Sequence, residues 1–206
     1  MHMEKPRKAA LANLYNTATN QYGFFTTKQA ESAGFSRKTH LYHVRAGNWI
    51  REHRAVYRLA QFPQQDRPDL MLWFLWSRNR EDIPQGTYSH ETALTLYDLS
   101  DAMPRKLHMT VPMRFRKNTP IPRALVLHRA DLGQTDIETI HGVQVTSPLR
   151  TISDLLAESR VSKDLILQAL REGLRRGLIT RSAVRQTRLP KEVRQQLLDF
   201  IKEADQ

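Results

Sequence analysis

The sequence predicts an α+β fold in two modules, and three observations predict it. Helix-spaced apolar residues with helix caps occupy both ends of the chain, while four strand-like segments fall between Lys106 and Val145. Positive charge is concentrated early: residues 1–62 carry 10 Lys+Arg and 3 Asp+Glu, a net of +7, whereas residues 63–206 carry 22 and 18. Between these regions lies a polar stretch with two prolines, Gln61-Phe62-Pro63-Gln64-Gln65-Asp66-Arg67-Pro68. The expected organisation is a short basic module over 1–62 and a larger α+β domain over 69–206.

The first module begins with a helix over Pro6–Thr19, whose Leu11, Leu14, Tyr15 and Ala18 share one face. Gly23 breaks the pattern. Thr26 with Gln29 forms a capping box and opens a short helix to Ala33, after which Gly34 permits a sharp turn. Ser36 then caps a third helix, Arg37–Ala46, stopped by Gly47. Strands over Asn48–Arg51 and Ala55–Leu59, joined by Glu52-His53-Arg54, complete the order of a winged helix-turn-helix.

On the third helix, Leu41 and Val44 define the expected buried stripe, and Thr39, Tyr42, His43 and Ala46 point away from it. Lys38, His40 and Arg45 lie on the flanks, and Arg37 sits in the first turn. Hydroxyl, imidazole and cationic side chains on such a face can donate to base edges and phosphates. Wing arginines would grip the backbone and add affinity without sequence information. The candidate DNA contacts are Lys28, Ser36, Arg37, Lys38, Thr39, His40, Tyr42, His43, Arg45, Arg51, Arg54 and Arg58.

In the larger module an apolar helix over Asp69–Asn79 carries Trp73, Phe74 and Trp76 as core residues. Ser89 caps a helix from His90 to Tyr97. Strands are expected over Lys106–Val111, Ala124–Arg129, Asp136–Ile140 and Val143–Val145, the last two joined by His141-Gly142. Ser147-Pro148 opens a helix to Glu158, Ser162 one to Arg176, Thr180 a short one, and Pro190 a last one to Ala204.

Composition narrows the chemistry. The 206 residues hold 32 Lys+Arg against 21 Asp+Glu, a formal charge of +11, so a polyanion is the expected partner. There is no cysteine, which excludes disulfides, thiol catalysis and Cys-ligated metals and suits a cytoplasmic protein. The longest apolar run, Leu70–Trp76, is far too short for a membrane span, and no apolar segment follows the N-terminal charges as in a signal peptide. No phosphate loop, HExxH, GxSxG or EF-hand pattern occurs. The eight histidines look scattered; His40 and His43 have helical spacing but no supporting carboxylate, so no metal site is expected. Ser89-His90-Glu91 has the letters of a triad, but capping is the simpler role for its serine. Asp131, Asp136 and Glu138 read as a solvated turn, and Arg150 with Asp154 as an intrahelical ion pair. The expectation is a protein without catalysis or cofactor.

Several segments together resemble the AbiEi family of antitoxins. Gly23-Phe24-Phe25-Thr26-Thr27-Lys28-Gln29-Ala30 with Gly34-Phe35-Ser36-Arg37 is similar to the family's helix-turn-helix opening. Gly47-Asn48-Trp49-Ile50-Arg51 and Arg54-Ala55-Val56-Tyr57-Arg58-Leu59 resemble its wing, although the family usually has Gly where this chain has Ala55. Tyr88-Ser89-His90-Glu91-Thr92-Ala93-Leu94 and Val145-Thr146-Ser147-Pro148-Leu149-Arg150-Thr151-Ile152-Ser153-Asp154-Leu155 resemble its C-terminal signatures; Tyr97-Asp98-Leu99 stands where His-Gly-Leu is usual. The resemblance implies a toxin–antitoxin or abortive-infection component. Its winged helix would bind promoter inverted repeats, with a second copy on the DNA, and repress its own operon. Its C-terminal domain would neutralise a nucleotidyltransferase-type toxin. Two other classes remain: a regulator with a ligand-sensing C-terminal domain, and a metal-dependent DNA-processing enzyme.

Overall fold

Leu14 and Ala18, four residues apart on the first helix, are fully buried, and the early fold is built onto them. In the computed structural model, which describes residues 4–159, 161–187 and 189–204, this helix is α1 (Glu4–Thr19). Leu11 and Tyr15, expected on the same face, are instead about half exposed. After α1 come β1 (Phe24–Thr26), α2 (Thr27–Ala33), a 3-10 turn (Arg37–Thr39), α3 (His40–Arg45), β2 (Trp49–His53), β3 (Val56–Leu59) and α4 (Pro68–Trp76).

The three strands form an antiparallel sheet in the order β1-β3-β2, with Phe25 opposite Tyr57 and Trp49 opposite Leu59. Phe25, Ala30, Ala33 and Trp49 close the core around Leu14 and Ala18. The capping box is present: Gln29 N donates to Thr26 Oγ1 at 3.2 Å and Thr26 N to Gln29 Oε1 at 2.8 Å. Gly23 is required twice over. Its φ is +84°, and a Cβ there would fall 2.6 Å from the Phe62 ring. Helix, short strand, two helices and a two-stranded wing make this a winged helix. Strand β1 escapes a sequence reading because three residues are too few to show alternation.

The second module holds β4 (Thr87–Tyr88), α5 (His90–Leu96), β5 (Leu107–Val111), β6 (Leu125–Arg129), β7 (Ile137–Ile140), β8 (Val143–Thr146), α6 (Pro148–Glu158), α7 (Lys163–Arg175), α8 (Arg181–Gln186) and α9 (Lys191–Ala204). Its five-stranded sheet runs β6-β5-β4-β8-β7, with β5 parallel to β6, β4 parallel to β8, and β4 antiparallel to β5. Tyr88, Met109 and Val145 from the sheet and Leu94, Ile152, Leu170 and Leu197 from the helices are fully buried. The two-residue connection His141-Gly142 has positive φ at both positions, 49° and 72°, the geometry of a primed hairpin turn. The fold class is α+β throughout. No helix among the described residues is long and apolar enough to cross a membrane.

The compact units are residues 1–85 with 141–143, and 86–140 with 144–206. Helix α4 therefore belongs with the winged helix, not with the larger domain that the proline stretch suggested would begin at residue 69. The reason is packing: α4 lies against β1, β2 and β3, and its Trp73 meets His53 of β2 edge-on at 5.5 Å. Prolines marked a turn inside the first unit.

Candidate nucleic-acid interface and a buried histidine cluster

The exposed cations of the winged helix gather at the start of the second helix-turn-helix element and on the wing. Arg37, Leu41 and Val44 line one side of a groove of about 340 Å³, and Arg51 and Arg54 line the other. Arg37, Lys38, Arg45, Arg51 and Arg54 are all exposed, and no ion pair among the described residues engages any of them. Uncompensated charge on one surface is what a phosphate backbone recognises. Thr39 and Tyr42 are exposed beside them, although the Thr39 hydroxyl is turned back to donate to Ser36 O at 2.7 Å.

Other candidates are placed differently from expectation. His40 is buried, 3% exposed, with its ring edge-on to Trp49 and Tyr57, whereas Leu41 is 56% exposed. The buried stripe is thus displaced by one residue. The cause is local: Arg37–Thr39 winds as a tight 3-10 turn with about 3 residues per turn, so phase counted at 100° per residue from Arg37 is lost. His40 consequently lines the groove from within, as a buried residue and not an exposed one. His43 is half-buried and stacked on Trp49 at 4.6 Å between centroids. Ser36 occupies a cap position without a side-chain cap bond. Lys28 donates to the Arg80 carbonyl. Arg58 is bound to Glu52 at 2.7 Å and lies over the Phe24 ring, so it braces the sheet and is not a free cation.

A second constellation lies in the larger unit. His90, at the start of α5, stacks on His128 of β6 with centroids 3.6 Å apart and planes 13° from parallel. His128 Nδ1 is 2.8 Å from Glu158 Oε1 on the last turn of α6, and His90 Nε2 is 3.3 Å from the same oxygen. His128 Nε2 is 3.0 Å from His108 Nδ1 on β5, which is in turn 3.2 Å from Glu91 Oε2. Behind His90, Ser89 Oγ meets His90 Nδ1 at 2.9 Å and accepts from Thr110 Oγ1 at 2.8 Å. Ser89 therefore does not cap α5 with its side chain, as the sequence suggested; its hydroxyl is turned to the imidazole. His90 adopts φ +53°, a left-handed value uncommon for a residue other than glycine. Burial, and then the neighbouring His128, push the His90 imidazole down to a pKa of about 4, so it is neutral at physiological pH.

This cluster was missed by sequence reading. His108 and His128 each sit on a strand of ordinary appearance, and nothing local says that β5 and β6 are parallel neighbours. That pairing, with Thr110 opposite His128, is what brings both rings to α5. The available signal was a Ser-His-Glu helix start combined with one histidine on each of two adjacent predicted strands. Of the carboxylates read as a solvated turn, Asp131 and Glu138 are exposed as expected, and all three also have partners: Asp136 pairs with Arg150 at 3.0 Å, Glu138 accepts from the Tyr97 hydroxyl at 3.0 Å, and Asp131 from Met113 N at 3.2 Å. The Arg150–Asp154 pair is present at 2.9 Å.

Residues 14–60 match the family described as transcriptional regulator, AbiEi antitoxin. This segment is therefore similar to the AbiEi antitoxin regulators. The match runs from Leu14 in α1 to just past the wing, so the matched segment contains the basic groove in full. Its wing turn carries Ala55 at φ +62°, the left-handed conformation for which glycine is the natural residue. A crystal structure of the RV2827C protein from Mycobacterium tuberculosis has a similar fold, with a TM-score of 0.52 at 12% identity over 92% of this chain and 71% of that one. No curated protein matches the chain significantly.

Proposed function

We propose that this chain is the antitoxin of a toxin–antitoxin pair and the repressor of its own operon. The winged helix binds inverted repeats in the promoter, and the larger unit counters a nucleotidyltransferase-type toxin in the cytoplasm. The observation that carries the DNA half is the groove flanked by Arg37, Arg51 and Arg54, with Lys38 and Arg45 exposed on the same helical segment, all without ion pairs among the described residues, in a segment similar to the AbiEi regulators. Five such cations match a stretch of phosphates, while the exposed Tyr42 is the side chain we assign to reading base edges. The toxin half rests on the resemblance of the Ser89-His90-Glu91 and Ser147-Pro148-Leu149-Arg150 segments to the family's C-terminal signatures. The role asks for no catalysis.

Two measurements test the reading. The full chain should shift DNA from upstream of its own gene, with an affinity that falls steeply with salt, and should leave unrelated DNA of equal length far more weakly bound. Growth under expression of the neighbouring toxin gene should be rescued by the full chain. Equal affinity for promoter and unrelated DNA would overturn the repressor role, and failure of rescue with folded protein present would overturn the antitoxin role.

A further inference from the structure

The geometry points to a divalent transition-metal site, best suited to Zn²⁺, formed by His90 Nε2, His128 Nδ1 and Glu158 Oε1. These three atoms lie within 4.8 Å of one another. Two ligands 2.0–2.1 Å from a tetrahedral ion are about 3.3 Å apart; His90 Nε2 stands at that distance from Glu158 Oε1, 3.3 Å, and His128 Nδ1, at 2.8 Å, has to move out slightly. Two imidazoles and one carboxylate form a borderline-soft donor set that selects zinc-like ions over magnesium or calcium, and they leave a fourth position for water.

Two further features mark the cluster as built to hold a cation. His90 Nε2 is buried and makes no aligned hydrogen bond, although Glu158 is near. The ring's other nitrogen is held 2.9 Å from Ser89 Oγ, itself fixed by Thr110, which orients the ring with Nε2 toward the gap. Oriented ligands of this kind are the usual outer ring of a histidine metal site. Coordination through His128 Nδ1 moves that ring's proton to Nε2, where His108 Nδ1 at 3.0 Å accepts it with its own proton on Nε2. Rings stacked at 3.6 Å cannot both hold one ion in their planes, so binding opens the His90–His128 stack. The ion then ties α5, β6 and α6 together, and the Glu158 side chain, 30% exposed, is the way in from solvent.

The test uses the full chain, stripped with EDTA and titrated with Zn²⁺ against a chromophoric chelator. We expect one Zn²⁺ per chain, a higher Tm with Zn²⁺ present, and at least tenfold weaker binding in His128→Gln and in Glu158→Gln. Ser89→Ala keeps all three ligand atoms and should weaken binding by roughly 10–100-fold. His43→Gln and His141→Gln, outside the cluster, should bind as the parent does. Co²⁺ in place of Zn²⁺ should give a visible absorption band that Glu158→Gln removes. Far-UV circular dichroism identifies folded variants; should His128→Gln unfold, Glu158→Gln, at the more accessible ligand, decides. No Zn²⁺ binding by the parent chain, or binding unchanged in Glu158→Gln, overturns the site.

Discussion

At the scale of single residues, two backbone positions make opposite predictions. Ala55 holds φ +62° on an exposed turn. A left-handed L-residue costs about 1–2 kcal/mol, and glycine gives back roughly 0.4–1 kcal/mol through its looser unfolded state. Ala55→Gly should therefore stabilise the protein by about 0.5–1 kcal/mol, read as a higher urea midpoint at constant m. Gly23 is the reverse case, since it has φ +84° and a Cβ would strike Phe62. Gly23→Ala should cost roughly 2–4 kcal/mol by adding backbone strain to overpacking, measurable as a fall in Tm. The two differ because glycine is absent where the turn wants it and present where nothing else fits.

At the scale of elements, the wing and the helix α6 each contain charges whose partners decide their role. Arg51 and Arg54 face solvent without ion pairs among the described residues, while Arg58 is tied to Glu52. Arg51→Ala and Arg54→Ala should weaken binding to every DNA sequence and flatten the slope of log K against log salt by about 0.9 per lost phosphate contact. Arg58→Ala should leave that slope unchanged and lower stability instead. Equal slopes for all three variants would show that the wing does not grip DNA in this way. On α6, Arg150 lies between Asp136 and Asp154, and burial raises the Asp154 carboxyl above its ordinary value while Arg150 pulls it down. Removing Arg150 raises it further. A raised carboxyl favours the folded state only where it is protonated, so this contribution is present at low pH and lost as pH rises through the folded value. Arg150→Ala should thus cost roughly 1–3 kcal/mol at pH 7 and less near pH 4, as read by denaturant unfolding at both values.

At the scale of the whole molecule, one winged helix reads only a few base pairs, so useful specificity needs two copies on a repeated site. Two chains should occupy each operator, on half-sites separated by about one helical turn or a multiple of it. Analytical ultracentrifugation of the complex and a footprint at saturating protein check this. A single protected half-site would rule it out.

Sequence alone determined the helices and the winged-helix order, because caps and breakers act within a few residues of themselves. Thr26 with Gln29, Gly34, Ser162 and Thr180 mark boundaries that the structure reproduces closely. Pro148–Glu158 begins and ends where its residues said it would. Phase was less secure: one tight turn at Arg37–Thr39 exchanged the environments of His40 and Leu41. Tertiary structure alone decided the rest. Helix α4 joined the first unit because its apolar face matched that sheet, and no linker composition reports such a match. The meeting of His90, His108, His128 and Glu158 depends on strand order and on a parallel pairing between segments 14 or more residues apart. Proximity of that kind is created by folding and leaves no periodicity in the chain.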